Sequence, residues 1–235
     1  MNDVPDVPDL PDVTTIASAS RLGELLGDRV PPAASVTPAE IELADAARDL
    51  LDAVVATAVD DATRARDARE IRTQSEALRA RRRDPVIVLV RNADGRLENL
   101  TQAGNGALNP RAPALRFEPF PPPPPPDAPF RPVEVVAHCT LDASFGGGPS
   151  RAHGGVVATL LDEALGRAGN VAGATGLTVV LEVRYRAGVP LGVPLRVTAR
   201  CDRVEGRKRF ASGEIRLGDD VLAEATAVCI AERRD

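Results

Sequence analysis

The sequence has very few aromatic residues and almost no lysine. Aromatic side chains make up 3% of the 235 residues, with no tryptophan and one tyrosine, so stacking of bases on an aromatic platform is not expected. Lys208 is the only lysine among 29 basic residues, and the net charge is -5. A negative net charge disfavours non-specific binding to a polyanion. We therefore expect no nucleic-acid partner.

Cysteine, histidine and long apolar runs are also scarce. The three cysteines are far apart and odd in number, and there are only two histidines, so neither a disulfide framework nor a zinc site is expected. We expect buried thiols in a reducing compartment, no metal and no redox cofactor. No apolar run approaches the roughly 20 residues of a membrane span, and the acidic, proline-punctuated N-terminus is unlike a signal peptide. These features predict a cytoplasmic protein without membrane insertion. The cysteines are Cys139, Cys201 and Cys229.

The N-terminal third divides into a tail and a helical extension. Asp and Pro recur in residues 1–20, which predicts a disordered acidic tail. In the extension, residues 21–84, "TPAE" predicts a capping box between Thr37 and Glu40. One interrupted helix, or two, should cover residues 38–82. This extension either packs on its own domain or serves as a partner-binding arm or coiled coil. Apolar residues follow the cap at helical spacing: Leu43, Ala47, Leu50, Leu51, Val54, Val55 and Ala58.

Residues 85–130 are expected to form a strand, a loop and a proline-rich linker. "VIVLV" (86–90) is typical of a buried strand and is followed by an Asp-Gly turn. A loop, "GNGALNPRAPAL" (104–115), precedes six consecutive prolines from Pro121 to Pro126. Such a run favours a polyproline II segment, which would be a spacer or a ligand for an SH3-like partner.

The pattern changes at residue 131, where the predicted core domain (131–235) begins. A strand pattern and a glycine-rich turn lead into helical spacing over 153–169, and four alternating segments with short turns follow. Strands joined in this way predict an antiparallel meander. Its single helix must bury an apolar stripe, and the sheet face is the available place. We therefore predict an α+β fold in which an antiparallel sheet wraps around one central helix.

The stretch "RAHGGVVATLLDEALG" (151–166) carries the residues with chemical potential. If the helix begins near His153 or Gly154, its first N–H groups lack partners within the helix. The glycines allow another molecule to approach the backbone, and the helix dipole adds positive charge there. An oxyanion hole is built in this way. The alternative is that Gly154 and Gly155 only allow a tight bend.

Asp162 lies nine residues after His153 within an apolar stretch. At about 100° per residue that spacing is half a turn out of phase, so the two residues would point to opposite sides of the helix. One subunit could not bring both to one substrate, whereas two helices related by a twofold axis could. Asp162 would then act as a general base on water or attack a carbonyl itself. The alternative is a solvated carboxylate beside Glu163.

These residues resemble a known family. "GGGPSRAHGGVVATLLDEALG" resembles the helix motif of hotdog-fold acyl-CoA thioesterases, in the THEM4-like and phenylacetate-pathway-like (PaaI-like) branch. The segment from "VRYRAGVPLG" to "AEATAVCIA" resembles the rest of that domain, and the 104–115 loop resembles its bacterial lead-in. The resemblance covers about 105–232 and leaves out residues 1–80.

The resemblance implies an acyl-CoA hydrolase that needs no cofactor, since CoA is part of its substrate. His153, Gly154 and Gly155 would shape the oxyanion hole, and Asp162 would be the base or nucleophile. Thr178 matches a threonine that positions the attacking water in some members. The enzyme would be a homodimer or a dimer of dimers, with Asp162 reaching in from the other subunit. The candidates for binding the CoA phosphates are Arg184, Arg186, Arg207 and Lys208.

Two departures and three alternatives accompany this interpretation. Some relatives have an asparagine six residues before the histidine, where this chain has Gly147, and the usual "PVP" turn is "GVP" at 188–190.

The first alternative is a non-catalytic acyl-CoA-binding hotdog protein. The second is a hotdog hydratase or dehydratase, which uses a different histidine and acid arrangement; His138 is the only other histidine. The third is an interaction protein that dimerises through its 38–82 helices.

Overall fold

A computed structural model describes residues 27–122, 124–125 and 128–231. The acidic tail expected over residues 1–20 lies outside the described residues. The helices are α1 (Pro38–Ala56), α2 (Asp61–Arg79) and α3 (Gly154–Val171). The strands are β1 (Leu89–Arg91), β2 (Leu97–Asn99), β3 (Arg116–Phe117), β4 (Glu134–Thr140), β5 (Gly146–Gly148), β6 (Arg151–Ala152), β7 (Leu177–Tyr185), β8 (Pro194–Glu205), β9 (Lys208–Leu217) and β10 (Asp220–Ile230).

The extension contains two helices, and their caps explain why the chain breaks between them. The predicted capping box is confirmed, because the Thr37 side chain accepts from the Glu40 N–H and the Glu40 carboxylate accepts from the Thr37 N–H. Asp60 caps α2 by accepting from the Thr63 N–H at 2.9 Å. Within the described ranges, no helix combines the length and apolarity that a membrane span requires.

Helix α1 contacts the core through polar side chains. Asp52 Oδ1 accepts from the Ala143 N–H at 2.9 Å, and Arg48 donates to the Asn109 carbonyl at 3.4 Å. This helix therefore contacts its own domain, and its apolar stripe does not make these hydrogen bonds. Ala44 is its one buried residue, since the stripe lies on another side of the helix from Arg48 and Asp52. Its larger members are exposed: Leu43, Leu50, Leu51, Val54 and Val55.

The predicted buried strand at 86–90 begins later than expected. Val86 and Ile87 are about half exposed, whereas Leu89 and Val90 are buried in β1. Strand β1 pairs with β2 across the expected Asp-Gly turn. The proline run is attached to the domain at its start, because the Arg96 guanidinium donates to the Pro121 carbonyl at 2.8 Å.

A six-stranded antiparallel sheet has the order β3-β4-β8-β9-β10-β7. The expected meander holds for β8, β9 and β10 only. Strand β7 pairs with β10 instead of β8, so the chain crosses the sheet between β7 and β8. This arrangement makes β7 the edge of the sheet.

Helix α3 packs on one face of this sheet, and the predicted hotdog architecture is confirmed. The buried side of the helix includes Leu160, Leu161, Ala164 and Leu165, each with at most 1% of its surface exposed. The opposing sheet face is built from small and branched residues, and we call it the inner face. Its members include Val135, Ala137, Val197, Ala199, Ala211, Ile215, Ala223, Ala225, Ala227 and Cys229.

Candidate active site

The start of α3 leaves one backbone donor without a partner. His153 is the N-cap, and its Nδ1 accepts from the Gly155 N–H at 2.9 Å. The N–H groups of Val156 and Val157 donate to the His153 carbonyl at 2.9 and 3.2 Å. No hydrogen bond of the described chain engages the Gly154 N–H. Within the His153–Gly155 turn, the Gly154 N–H is therefore the backbone donor that can bind an external acceptor, because the Gly155 N–H is already bonded to His153.

The cap also defines the state of the histidine ring. Because Nδ1 accepts a hydrogen bond, the neutral ring carries its proton on Nε2. Nε2–H is then a further donor on the N-cap side chain. The helix dipole adds positive character to the same place.

Gly147 lies directly against His153. A Cβ on Gly147 would lie 2.5 Å from the His153 Cα and 2.8 Å from its Cβ. No side chain fits there without a backbone shift, so this loop cannot present an asparagine in the way that some relatives of the resembled family do. A carbonyl bound here depends on the donors of the helix start.

Asp162 lies on the same helix, toward the edge of the sheet. Its Oδ1 is shielded from solvent and accepts no hydrogen bond from the described residues. An unpaired buried carboxylate oxygen is costly, and such groups occur where chemistry requires them. At least one oxygen of the Asp162 carboxylate is therefore withdrawn from solvent, whereas a fully solvated carboxylate would expose both.

Thr178 and Cys229 lie on β7 and β10, the last two strands of the sheet. They are register partners, and the Thr178 hydroxyl lies 3.7 Å from the Cys229 sulfur. Burial raises the pKa of the Cys229 thiol, the Thr178 hydroxyl lowers it, and the nearby Asp162 carboxylate raises it further. Thr178 and Asp162 therefore both influence the Cys229 thiol.

Arg209 was not singled out in the sequence, yet it lies across from Cys229 on β9. Its guanidinium lowers the pKa of that thiol, and its Nε is buried without a partner among the described residues. The sequence signal that could have found Arg209 is strand alternation, which places it on the same face as Ala211 and Ile215.

Glu163 belongs to a different environment from Asp162. Burial raises the pKa of the Glu163 carboxyl, and the nearby Arg167 guanidinium opposes that effect. A Cβ on Gly104 would lie 2.6 Å from Glu163 Oε2, so the 104–115 loop closes tightly over this side chain. The two adjacent carboxylates therefore face different parts of the protein.

The basic residues proposed for CoA fall into two groups. Arg184 and Arg186 share the outer face of the sheet, where Arg184 pairs with Glu182 and Arg186 with Glu224, both within 2.8 Å. Arg207 and Lys208 form the β8–β9 turn. Arg207 donates to the Ala231 carbonyl at 3.0 Å, and Lys208 lies opposite Ile230. This turn is at the end of the sheet where Asp162 and Cys229 lie.

The other histidine does not join the site. His138 is on β4 with its Nε2 2.9 Å from Glu118 Oε1, and both side chains are about half exposed. In the described ranges, no three of the His, Cys, Asp and Glu side chains cluster as metal ligands would.

Gly154 and Asp162 lie at different points along one helix. They are eight residues apart, which corresponds to about 12 Å along the helix axis. Reacting atoms approach to about 3–3.5 Å, so the backbone positions of these two residues in one chain are several times farther apart than that.

Comparison with known sequences also finds thioesterases, in agreement with the family that the helix motif resembles. Residues 150–224 match the thioesterase superfamily. The acyl-coenzyme A thioesterase THEM4 of Xenopus laevis is 40% identical over 87 residues, which are 36% of this chain and 39% of that protein. THEM4 of Bos taurus is 35% identical over 86 residues, which are 36% of this chain and 35% of that protein. The match thus spans well under half the length of these curated relatives.

Structural comparison extends the likeness beyond the matched residues. The crystal structure of a thioesterase superfamily protein has a TM-score of 0.70 and 28% sequence identity, and the match covers 85% of this chain and 97% of that chain. Residues 131–235 are less than half of the chain, so this match also includes much of the part before residue 131. This chain is therefore similar in sequence to the thioesterase superfamily over residues 150–224, and similar in structure to a protein of that superfamily over most of its length.

Proposed function

We propose that this protein hydrolyses an acyl-CoA thioester to the free acid and CoA. The observation that carries the proposal is the pair of unsatisfied groups on α3, the Gly154 N–H at its start and the buried Asp162 Oδ1. An unpaired donor suits a developing oxyanion, and an unpaired carboxylate suits a base or nucleophile. The curated relatives, which are named acyl-coenzyme A thioesterases, support CoA thioesters as the substrate class.

In the proposed reaction, the thioester carbonyl oxygen accepts hydrogen bonds from the Gly154 N–H and from Nε2–H of His153. Asp162 removes a proton from water, which attacks the carbonyl carbon while Thr178 orients it. The tetrahedral oxyanion collapses, the C–S bond breaks, and the CoA thiolate leaves and is protonated. In the second form of this mechanism, the Asp162 carboxylate attacks the carbonyl carbon and the C–S bond breaks, which releases the CoA thiolate and leaves a mixed anhydride. Water then hydrolyses the anhydride to the free acid and regenerates the Asp162 carboxylate.

We further propose that the site is shared by two copies of the chain. The roughly 12 Å between the two groups on one helix requires the carboxylate to come from elsewhere. Asp162 faces the side of the sheet that ends in β7, whose outer edge has no partner strand in the described chain. Pairing two such edges about a twofold axis would bring the Asp162 of each copy toward the helix start of the other.

The CoA phosphates are proposed to bind at the β8–β9 turn. Arg207 and Lys208 are both exposed there, and the turn lies at the Asp162 end of the sheet. Arg184 and Arg186 are weaker candidates because each already pairs with a carboxylate. Binding of phosphate by these two would have to displace an ion pair.

The first test is release of free thiol from a panel of acyl-CoAs that spans short-chain, aromatic and long-chain acyl groups. Turnover of at least one member is expected. Thermal stabilisation by CoA or acyl-CoA without turnover would instead indicate the non-catalytic binding protein.

The oxyanion donor can be removed with little effect on the helix. Proline lacks an N–H and is favoured at the first helical position, and His153 has the extended conformation (φ -65°, ψ 137°) that a residue before proline adopts. Gly154→Pro should therefore fold and lose about 10²–10³-fold in kcat. A Gly154→Pro variant that folds and keeps its kcat would contradict this assignment.

Mixing two inactive variants tests the shared site. In a heterodimer of Gly154→Pro with Asp162→Asn, one site receives both defects and the other receives neither. Random mixing makes half of the dimers mixed, so about a quarter of the wild-type rate should return. Mixed samples that stay inactive would place the whole site in one chain.

A further inference from the structure

Tyr185, the last residue of β7, lies against the start of α3. Its hydroxyl donates to the Gly154 carbonyl at 2.9 Å. A Cβ on Gly154 would lie 3.4 Å from the hydroxyl oxygen and 3.5–3.6 Å from the ring. The edge strand of the sheet thus contacts the first residue of the helix.

The peptide group between Gly154 and Gly155 is hydrogen-bonded both at its oxygen and at its N–H. The Gly154 carbonyl and the Gly155 N–H belong to the same peptide group. Tyr185 donates to its oxygen, and His153 Nδ1 accepts from its N–H. This peptide group is therefore held from two sides, by the edge strand and by the cap.

Two consecutive glycines make such support necessary. Glycine has the greatest backbone freedom of any residue and weakens a helix relative to alanine. The unengaged Gly154 N–H is in the preceding peptide group and shares the Gly154 Cα with the held one. Rotation of the held group would therefore turn the donor away from a fixed oxyanion position.

We infer that Tyr185 is a positioning residue that aims the Gly154 N–H by holding the Gly154 carbonyl. The inference rests on the proposed thioester hydrolysis. Tyr185 touches neither the thioester nor the water in this role, and its hydroxyl transfers no proton.

A purely structural role would have a different consequence. The Tyr185 side chain is about half exposed, and a single such hydrogen bond contributes little to folding. Its loss would then leave turnover unchanged. A positioning role lowers kcat, because an oxyanion donor acts mainly in the transition state, and it leaves KM nearly unchanged.

The experiment compares Tyr185→Phe with Thr159→Val and the wild type. Thr159 also donates its hydroxyl to a carbonyl in the first turn, that of Gly155, at 2.9 Å, so each variant removes one such hydroxyl with little change of shape. Since an oxyanion donor contributes about 10²–10³-fold, misdirecting it in Tyr185→Phe should lower kcat by about tenfold. KM should stay within about twofold, and the pH–rate profile should keep its shape. Thr159→Val should keep kcat within about twofold of the wild type.

Four results would overturn the inference. If the wild type is active and Tyr185→Phe keeps its kcat, the positioning role is wrong and the proposed function stands. An equal loss of kcat in Thr159→Val would mean that the loss comes from general loosening of the helix and not from the position of the Gly154 N–H. A changed pH–rate profile would make the phenol a proton donor. A wild type without turnover on the acyl-CoA panel overturns the proposed function and this inference together.

Discussion

Replacing Asp162 by asparagine should separate catalysis from stability. The amide has nearly the shape of the carboxylate, so Asp162→Asn removes the charge and the basicity and preserves the packing. A positioned base contributes about 10²–10⁴-fold to a rate. No hydrogen-bonded neighbour in the described chain is available to take over as the base, because the Asp162 Oδ1 has no such partner. We therefore expect kcat to fall by about 10³-fold, which corresponds to an activation free energy higher by about 4 kcal/mol.

The same substitution should not destabilise the fold. A buried carboxylate oxygen without a partner is a cost that a neutral amide reduces. The thermal midpoint of Asp162→Asn is therefore expected to equal or exceed that of the wild type. Higher stability with lost activity is the pattern of a residue retained for chemistry.

The assay is release of the CoA thiol, and the protein's own thiols should not interfere. Burial raises the pKa of the Cys139 thiol to about 11 and is also the main cause of the pKa of about 11 of Cys201. Both are therefore almost fully protonated and unreactive at the assay pH.

Glu163→Gln is the matched control for Asp162→Asn. It makes the same chemical change at the adjacent position of the helix, on a side chain covered by the 104–115 loop. Its kcat should remain within about threefold of the wild type. The reasoning is refuted if Asp162→Asn keeps more than about a tenth of the wild-type kcat, or if both variants lose activity equally.

Two further predictions concern stability. Gly147→Ala should lower the free energy of unfolding by about 1–3 kcal/mol, because its Cβ would lie 2.5 Å from the His153 Cα. Gly148→Ala should be neutral, because nothing lies within 4 Å of its Cβ. Equal thermal midpoints of the two variants would contradict this prediction. The folded-state pKa of Glu163 is raised above its usual 4.5, chiefly by burial. The wild type therefore loses stability as the pH rises from 4.5 through the folded-state pKa, and Glu163→Gln does not. The difference in thermal midpoint between Glu163→Gln and the wild type should grow between pH 4.5 and 7.5, and a constant difference would count against the prediction.

Local sequence patterns predicted where the helices and strands lie better than they predicted which strands pair. The Thr37 capping box and the helical period of 153–169 concern residues a few positions apart, so their hydrogen bonds and spacing can be read from the chain. The position of β7 at the sheet edge could not be read in this way. Strand order depends on which inner faces pack together on α3, and all four C-terminal strands alternate alike.

The sequence also did not predict which face of a helix or strand contacts the rest of the protein. The apolar stripe of α1 predicted packing, yet Leu43 and Val54 are more than half exposed and the contact is made by Asp52. Alternation placed Arg184 and Arg186 on one face correctly, but only the register shows that each meets a carboxylate. Periodicity tells which residues share a face, and it does not tell what that face meets.

By itself, the sequence determined that this chain has a hotdog-type core whose helix carries His-Gly-Gly and, nine residues later, an aspartate. Hydrophobic period, turn residues and motif spacing are local properties, which is why they were sufficient. Only the tertiary structure decided that the Gly155 N–H is already bonded and the Gly154 N–H is not, that Asp162 has an unpaired buried oxygen, and that Tyr185 reaches the helix start from the sheet edge. The bond of the Gly155 N–H is local, to His153 two residues away, and depends on how the helix begins. The other features depend on groups far apart in the chain, which meet only once the sheet has closed around the helix.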